Sequence, residues 1–161
     1  MGPIIFKPLG DQAVLAHLPD EAAAVGFAAA VGEVAAGLEL EASRARALTE
    51  RLLGEVPKAV DGITVFGDPV DRLPHLVCFG VDGVEAEPVL LGLDQRGVAV
   101  HSGSSCSSET FEPSPVLRAM GADADHSLRV SVGWSSTPED VDAFLAALPD
   151  VIARLRRLGI G

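Results

Sequence analysis

Only two lysines occur in this 161-residue chain, Lys7 and Lys58, and Lys plus Arg together number 12 against 23 Asp plus Glu. The resulting net charge of −11 excludes a broad nucleic-acid surface, because phosphate binding needs clustered Lys and Arg. An acidic surface of this kind keeps a protein soluble. Cysteines are equally few. Cys78 and Cys106 cannot make a disulfide framework, and no signal peptide is read before them, so a reducing cytoplasm is the expected setting. The alanine-rich run Glu21 to Ala36 is interrupted by Gly26, Gly32 and Glu33, and no membrane span is expected from it. His17, His75, His101, His126 and the two cysteines lack the spacing of a zinc site, so no metal is expected either.

What is present fits a compact protein with a real core. Apolar residues make up 48% of the chain and the mean hydropathy is +0.32, at a length suited to one domain over residues 1–161. Residues 1–19, with prolines at 3, 8 and 19, form a divergent segment, and His17 has no evident ligand partner. Asp20 is placed to cap a helix reaching Gly37, with Val25, Phe27, Val31 and Val34 supplying its contacts. A second helix is predicted from about Glu39 to Val56, ended by Pro57, with Arg44, Arg46 and Arg51 on a solvated face.

Alternation then predicts strands over Ile63–Phe66 and Leu76–Phe79, the latter burying Cys78 as a structural thiol. Glu85 to Arg96 reads as a helix stopped by Gly97, and Val98–Val100 as a strand. Ser114 and Pro115 open a short helix through Met120. In the strand Ser127–Trp134, Leu128, Val130, Val132 and Trp134 share one face while Arg129 and Ser131 take the other. Thr137-Pro-Glu-Asp140 opens the last helix, whose apolar face persists to Gly159 and whose Pro149 should kink it. The order implies an α+β fold, a small mixed or antiparallel sheet with helices packed on one face.

The stretch Val98 to Ser108 carries the chemistry. A short apolar strand runs through His101 and Ser102 into Gly103, Ser104 and Ser105, which set Cys106 among small polar residues. One reading is a structural cysteine in a serine-rich turn. The other is a nucleophile on a flexible arm, because the thiolate is the reactive species and needs access.

Four motifs in order settle which family this resembles: Gly97–Ser108, Glu112–Gly121, Ser127–Gly133 and Thr137–Asp142. Together with Gly67-Asp-Pro-Val-Asp-Arg-Leu-Pro-His75, they resemble the C-terminal region of cysteine desulfurases, pyridoxal-phosphate enzymes of the class V aminotransferase group. The resemblance covers roughly residues 24–158, so that 20–161 is expected to be a desulfurase-like C-terminal domain, as in fold-type I pyridoxal-phosphate enzymes. It implies that Cys106 attacks the substrate sulfur and carries it as a persulfide, and that Arg129 holds the carboxylate of L-cysteine. A guanidinium suits that task because it binds a carboxylate bidentately. His101 stands where a small polar residue is common, either beside the thiol as an influence or as a passive residue at the loop base.

The departures from the family pattern are as informative. The large N-terminal domain is missing, and with it the lysine that forms the cofactor Schiff base; Lys7 and Lys58 do not sit in its motif. The electron sink of such a reaction belongs to the cofactor, so the chain alone is expected neither to hold pyridoxal phosphate covalently nor to turn over cysteine. The partners implied are L-cysteine, a sulfur-acceptor protein, and a separate polypeptide carrying the cofactor-binding large domain, or a homodimer. A cofactor-free sulfur carrier or interaction module keeping Cys106 as a relay is the alternative, and a degenerate domain with a structural role a third. A rhodanese-type loop fits less well, since Cys106-Ser-Ser-Glu-Thr-Phe111 carries a glutamate.

Overall fold

The computed structural model describes residues 21–102 and 114–159. Lys7, His17 and Asp20 lie outside the described residues, as do Gly103, Ser104, Ser105 and Cys106. Two compact units are distinguished in the chain, Met1–Leu40 and Glu41–Gly161.

Helix α1 runs unbroken over Glu21–Ala59, 39 residues, in place of the two helices expected. A glycine inside a helix costs about 1 kcal/mol relative to alanine, which weakens the stretch around Gly37 without breaking it. Pro57 lies inside the helix rather than beyond it. It forfeits its own hydrogen bond to the fourth residue before it, and only Lys58 and Ala59 follow it in the helix. In the first unit, Val25, Phe27, Val31 and Val34 make no buried contacts of the kind expected; they are exposed, at 69%, 69%, 50% and 66%. By length and composition alone, Ala23–Ala59 is long and apolar enough to cross a membrane, against the expectation drawn from Gly26, Gly32 and Glu33.

In the second unit, Ala45, Leu48, Leu52 and Val56 of α1 are buried in the core. Strands β1 (Ile63–Phe66), β2 (Leu76–Val81), β3 (His101–Ser102) and β4 (Ser127–Ser131) form a four-stranded sheet in the order β1-β2-β4-β3, every neighbouring pair antiparallel. Alternation sends the larger apolar side chains of its two central strands to one face. Val77, Phe79 and Val81 of β2 and Leu128 and Val130 of β4 are buried, facing α1, α2 (Ala86–Asp94) and α4 (Pro138–Leu158) across one core. A small antiparallel sheet with helices on one face is therefore the architecture.

Two strand expectations need correction. Val98–Val100 is not a strand, because the Val98 amide still donates to Leu93 O (3.1 Å) and the Gly97 amide to Asp94 O (2.8 Å), closing the end of α2. Pairing begins three residues later, at His101. The second concerns β4, which ends at Ser131 instead of reaching Trp134. Ser136 donates its amide to Gly133 O (3.0 Å) and accepts the Gly133 amide on Oγ (2.9 Å), turning the chain and leaving Trp134 81% exposed.

Helix α3 (Pro115–Ala119) is capped by Ser114, whose Oγ accepts the Leu117 amide at 3.4 Å. Thr137 and Asp140 cap α4 reciprocally, and Gly159 ends it in the left-handed conformation at φ 65°. The arginines of α1 do more than face solvent. Arg44 donates to Trp134 O (2.7 Å) and Ser136 O (2.5 Å), while Arg51 joins Glu55 (2.8 Å) and Asp142. They tie α1 to the turn and first residues that launch α4. Thr49, fully buried, accepts from Arg72 Nη1 (3.0 Å) and donates to Pro74 O (2.9 Å), anchoring the β1–β2 connection to the same helix.

Candidate functional site

The sheet face opposite the helices assembles the site. Register pairs His101 with Arg129, Arg129 with Cys78, and Cys78 with Phe66. Directly paired residues of antiparallel strands project to the same side, so these four side chains form one row across β3, β4, β2 and β1. Apolar neighbours force this orientation. With Leu128 and Val130 committed to the core, the residue between them must point away from it.

Arg129 is half-buried in that row, within electrostatic reach of the Cys78 thiol. Burial pushes that thiol above the ordinary value of 9.0; the Arg129 charge and the Phe79 amide pull it down without reversing the sign. Cys78 is thus a protonated, poorly nucleophilic thiol at neutral pH. The sequence suggested a buried structural cysteine; the structure half-buries it and points it to the arginine's side rather than into the core. The signal was available. Val77 and Phe79 flank Cys78, so alternation alone placed it opposite them.

His101 is exposed at the outer end of the row, its Nδ1 3.1 Å from Ser102 O. Ser102, half-buried, pairs with Leu128 and is the last described residue before the serine loop. The structure therefore brings together Arg129, His101 and Ser102. Phe66 covers the other end: a Cβ at Gly80 would stand 2.6 Å from Phe66 Cζ, so the ring lies directly over that glycine.

The described residues do not fit the aldehyde of pyridoxal phosphate. Among them the one lysine, Lys58, is exposed in the last turn of α1, neither enclosed nor on the arginine row. No group of three or more His, Cys, Asp and Glu suited to a metal ion occurs among the described residues.

Comparison with known proteins bears on this arrangement. The aminotransferase class-V family profile matches residues 18–144. The chain is 40% identical over 147 residues to an IscS-like cysteine desulfurase of Mycobacterium tuberculosis, covering 88% of this chain and 37% of that protein. It is 36% identical over 159 residues to cysteine desulfurase IscS 1 of Archaeoglobus fulgidus, covering 97% of this chain and 41% of the relative. Solved structures agree on the fold. A NifS-like protein superposes with a TM-score of 0.67 at 22% identity, over 81% of this chain and 33% of that one. The apo cysteine desulfurase of Thermococcus onnurineus gives 0.66 at 22%, over 85% and 32%. This chain thus spans about two fifths or less of the length of these relatives. It belongs to the aminotransferase class-V family, among the homologues of the cysteine desulfurases.

Proposed function

We propose that this chain is the C-terminal part of a cysteine desulfurase, with Cys106 as its sulfur-accepting nucleophile and Arg129 as the ligand of the substrate carboxylate. The observation that carries this reading is the register of β3 on β4. Arg129 sits beside His101, one residue before the strand's end, and Cys106 follows Ser102 by four residues. Extended chain advances about 3.3–3.6 Å per residue, so four residues give a tether of at most roughly 14 Å. That is a short enough tether for a thiol to meet a substrate held by Arg129, and long enough to turn away afterwards.

In the proposed reaction the Cys106 thiolate attacks the sulfur of L-cysteine. An S–S bond forms as the C–S bond breaks, its electron pair stays on the substrate carbon, and protonation there gives L-alanine. The persulfide on Cys106 then passes to an acceptor protein, as in iron–sulfur cluster assembly in the cytoplasm. Pyridoxal phosphate, which the family implies, would take its Schiff-base lysine from the large domain of such an enzyme, since Lys58 is exposed at a helix end and Lys7 does not sit in that lysine's motif. Borohydride treatment with pyridoxal phosphate should leave no fixed absorbance band on the isolated chain. A stoichiometric band would contradict that division of labour.

The exposure of Lys58 also favours a second reading, a cofactor-free relay that takes persulfide on Cys106 from a separate desulfurase. The two differ in one measurement. The relay passes sulfur onward without any cofactor-bearing partner bound, whereas a desulfurase part generates it only when that partner is present.

A further inference from the structure

Beside Arg129 stands a polar residue that the proposed function leaves without a task. His101 is its direct partner in the β3–β4 register. Paired residues of this kind have Cα atoms about 4.5–5.5 Å apart and project to the same side. On the other side of Arg129 the row holds Cys78 and Phe66. Burial keeps the Cys78 thiol protonated, and the Phe66 ring lies over Gly80, so that side offers a weak donor and an apolar wall.

The hydrogen bonding of His101 fixes which ring nitrogen can act. Its Nδ1 lies 3.1 Å from Ser102 O. A carbonyl oxygen only accepts, so Nδ1 carries the proton, and in the neutral ring Nε2 keeps the lone pair. The side chain is exposed, which leaves that lone pair open to a ligand. Elsewhere on this face the strands carry Thr64, Ser127 and Ser131 as polar residues, and no Asp or Glu. Ser127 donates its hydroxyl to Ala124 O at 2.6 Å. The imidazole nitrogen is therefore the strongest acceptor that the strands place beside the guanidinium.

A carboxylate on Arg129 limits what that nitrogen can meet. In an α-amino acid the ammonium sits on the carbon that bears the carboxylate, so it is the donor nearest the guanidinium-held end. The thiol of L-cysteine lies one bond further away. We propose that His101 is the second contact of this site, its Nε2 accepting a hydrogen bond from the α-ammonium of the amino acid whose carboxylate Arg129 holds. This rests on the proposed function in one respect, the role of Arg129. The pair then recognises both charged groups of an α-amino acid, a cation meeting its anion and a neutral acceptor meeting its cation. A carboxylic acid without the amine forfeits one of the two contacts.

The test titrates the full chain with L-cysteine and with 3-mercaptopropionate, which keeps the carboxylate and thiol and lacks the ammonium. Heteronuclear NMR reads the affinities and the His101 ring signals. L-Cysteine should bind about tenfold more tightly, the lower end for a hydrogen bond to a charged group, and should move the His101 signals. His101→Ala should remove that difference by weakening L-cysteine alone. His101→Gln, whose amide oxygen still accepts, should keep most of it, and His101→Lys, a donor without an acceptor, should weaken L-cysteine further than His101→Ala. Because His101 is exposed, unchanged thermal unfolding verifies that the variants fold. Equal affinity of wild type for the two ligands, or a difference that survives His101→Ala, overturns the proposal and leaves the role of Arg129 standing. Arg129→Gln separates the two claims, since it should weaken both ligands about tenfold or more. Both ligands unaffected by Arg129→Gln, or neither bound by wild type, would sink the reading of Arg129 and this inference with it.

Discussion

Gly92 and Val151 provide a test in which two effects of opposite sign compete. Gly92 lies in α2, and a Cβ there would stand 2.6 Å from Val151 Cγ1 and 3.3 Å from Cγ2 on α4. Helix propensity alone makes Gly92→Ala stabilising by about 1 kcal/mol. Forcing a methyl into packed side chains costs about 1–3 kcal/mol. The branch of Val151 is short and fixed to the buried face of α4, so it has little freedom to yield, and the clash should win. Gly92→Ala is expected to destabilise by about 1 kcal/mol. Val151→Ala alone should cost about 2 kcal/mol through the space it opens. In the Val151→Ala background the sign reverses, and Gly92→Ala should stabilise by about 1 kcal/mol. Urea denaturation of the four proteins gives the coupling from midpoints at constant slope. Stabilisation by Gly92→Ala in the wild-type background would refute the close α2–α4 packing on which the sheet's core face rests.

Other expectations are simpler. Thr137→Ala removes one half of the α4 capping box and should cost about 1 kcal/mol, seen as a thermal midpoint lower by about 2–4 °C. The raised Cys78 thiol makes the folded state hold its proton where the unfolded chain has lost it. That contribution to stability is complete below the unfolded value of 9.0 and is lost as pH rises through the folded value. Cys78→Ala should accordingly flatten the alkaline side of a stability–pH profile. Arg129→Gln removes the charge that pulls the Cys78 thiol down, so iodoacetamide should alkylate Cys78 more slowly at a given pH. Under the proposed function, Arg129→Gln in the whole desulfurase should raise KM for L-cysteine about 10–100-fold, the worth of a charge-assisted carboxylate contact.

Local chemistry made much of this legible before any coordinates. Thr137-Pro-Glu-Asp140 and Ser114-Pro115 state their helix starts in their own side chains, and both caps form as read. The alternation of Leu128, Arg129 and Val130 fixed which side Arg129 takes. Elsewhere tertiary context decided. Gly37 looked like a helix end, but a glycine only weakens a helix, and α1 continues through it. Val98 and Val100 are strand formers by composition, yet the Val98 amide is already used by the end of α2. Phe27 and Val34 looked like core residues because spacing reports which face is apolar, not what covers it. The row from His101 to Phe66 depends on strand register, which no local pattern carries.

The central claim concerns Cys106. Incubating the chain with a separate active desulfurase, its cofactor and L-cysteine, then reading intact mass, tests it most directly. One sulfur should be added, removable by cyanide or dithiothreitol, present in Cys78→Ala and absent in Cys106→Ala. Sulfur retained in Cys106→Ala, or lost in Cys78→Ala, would contradict the assignment of Cys106 as the carrier.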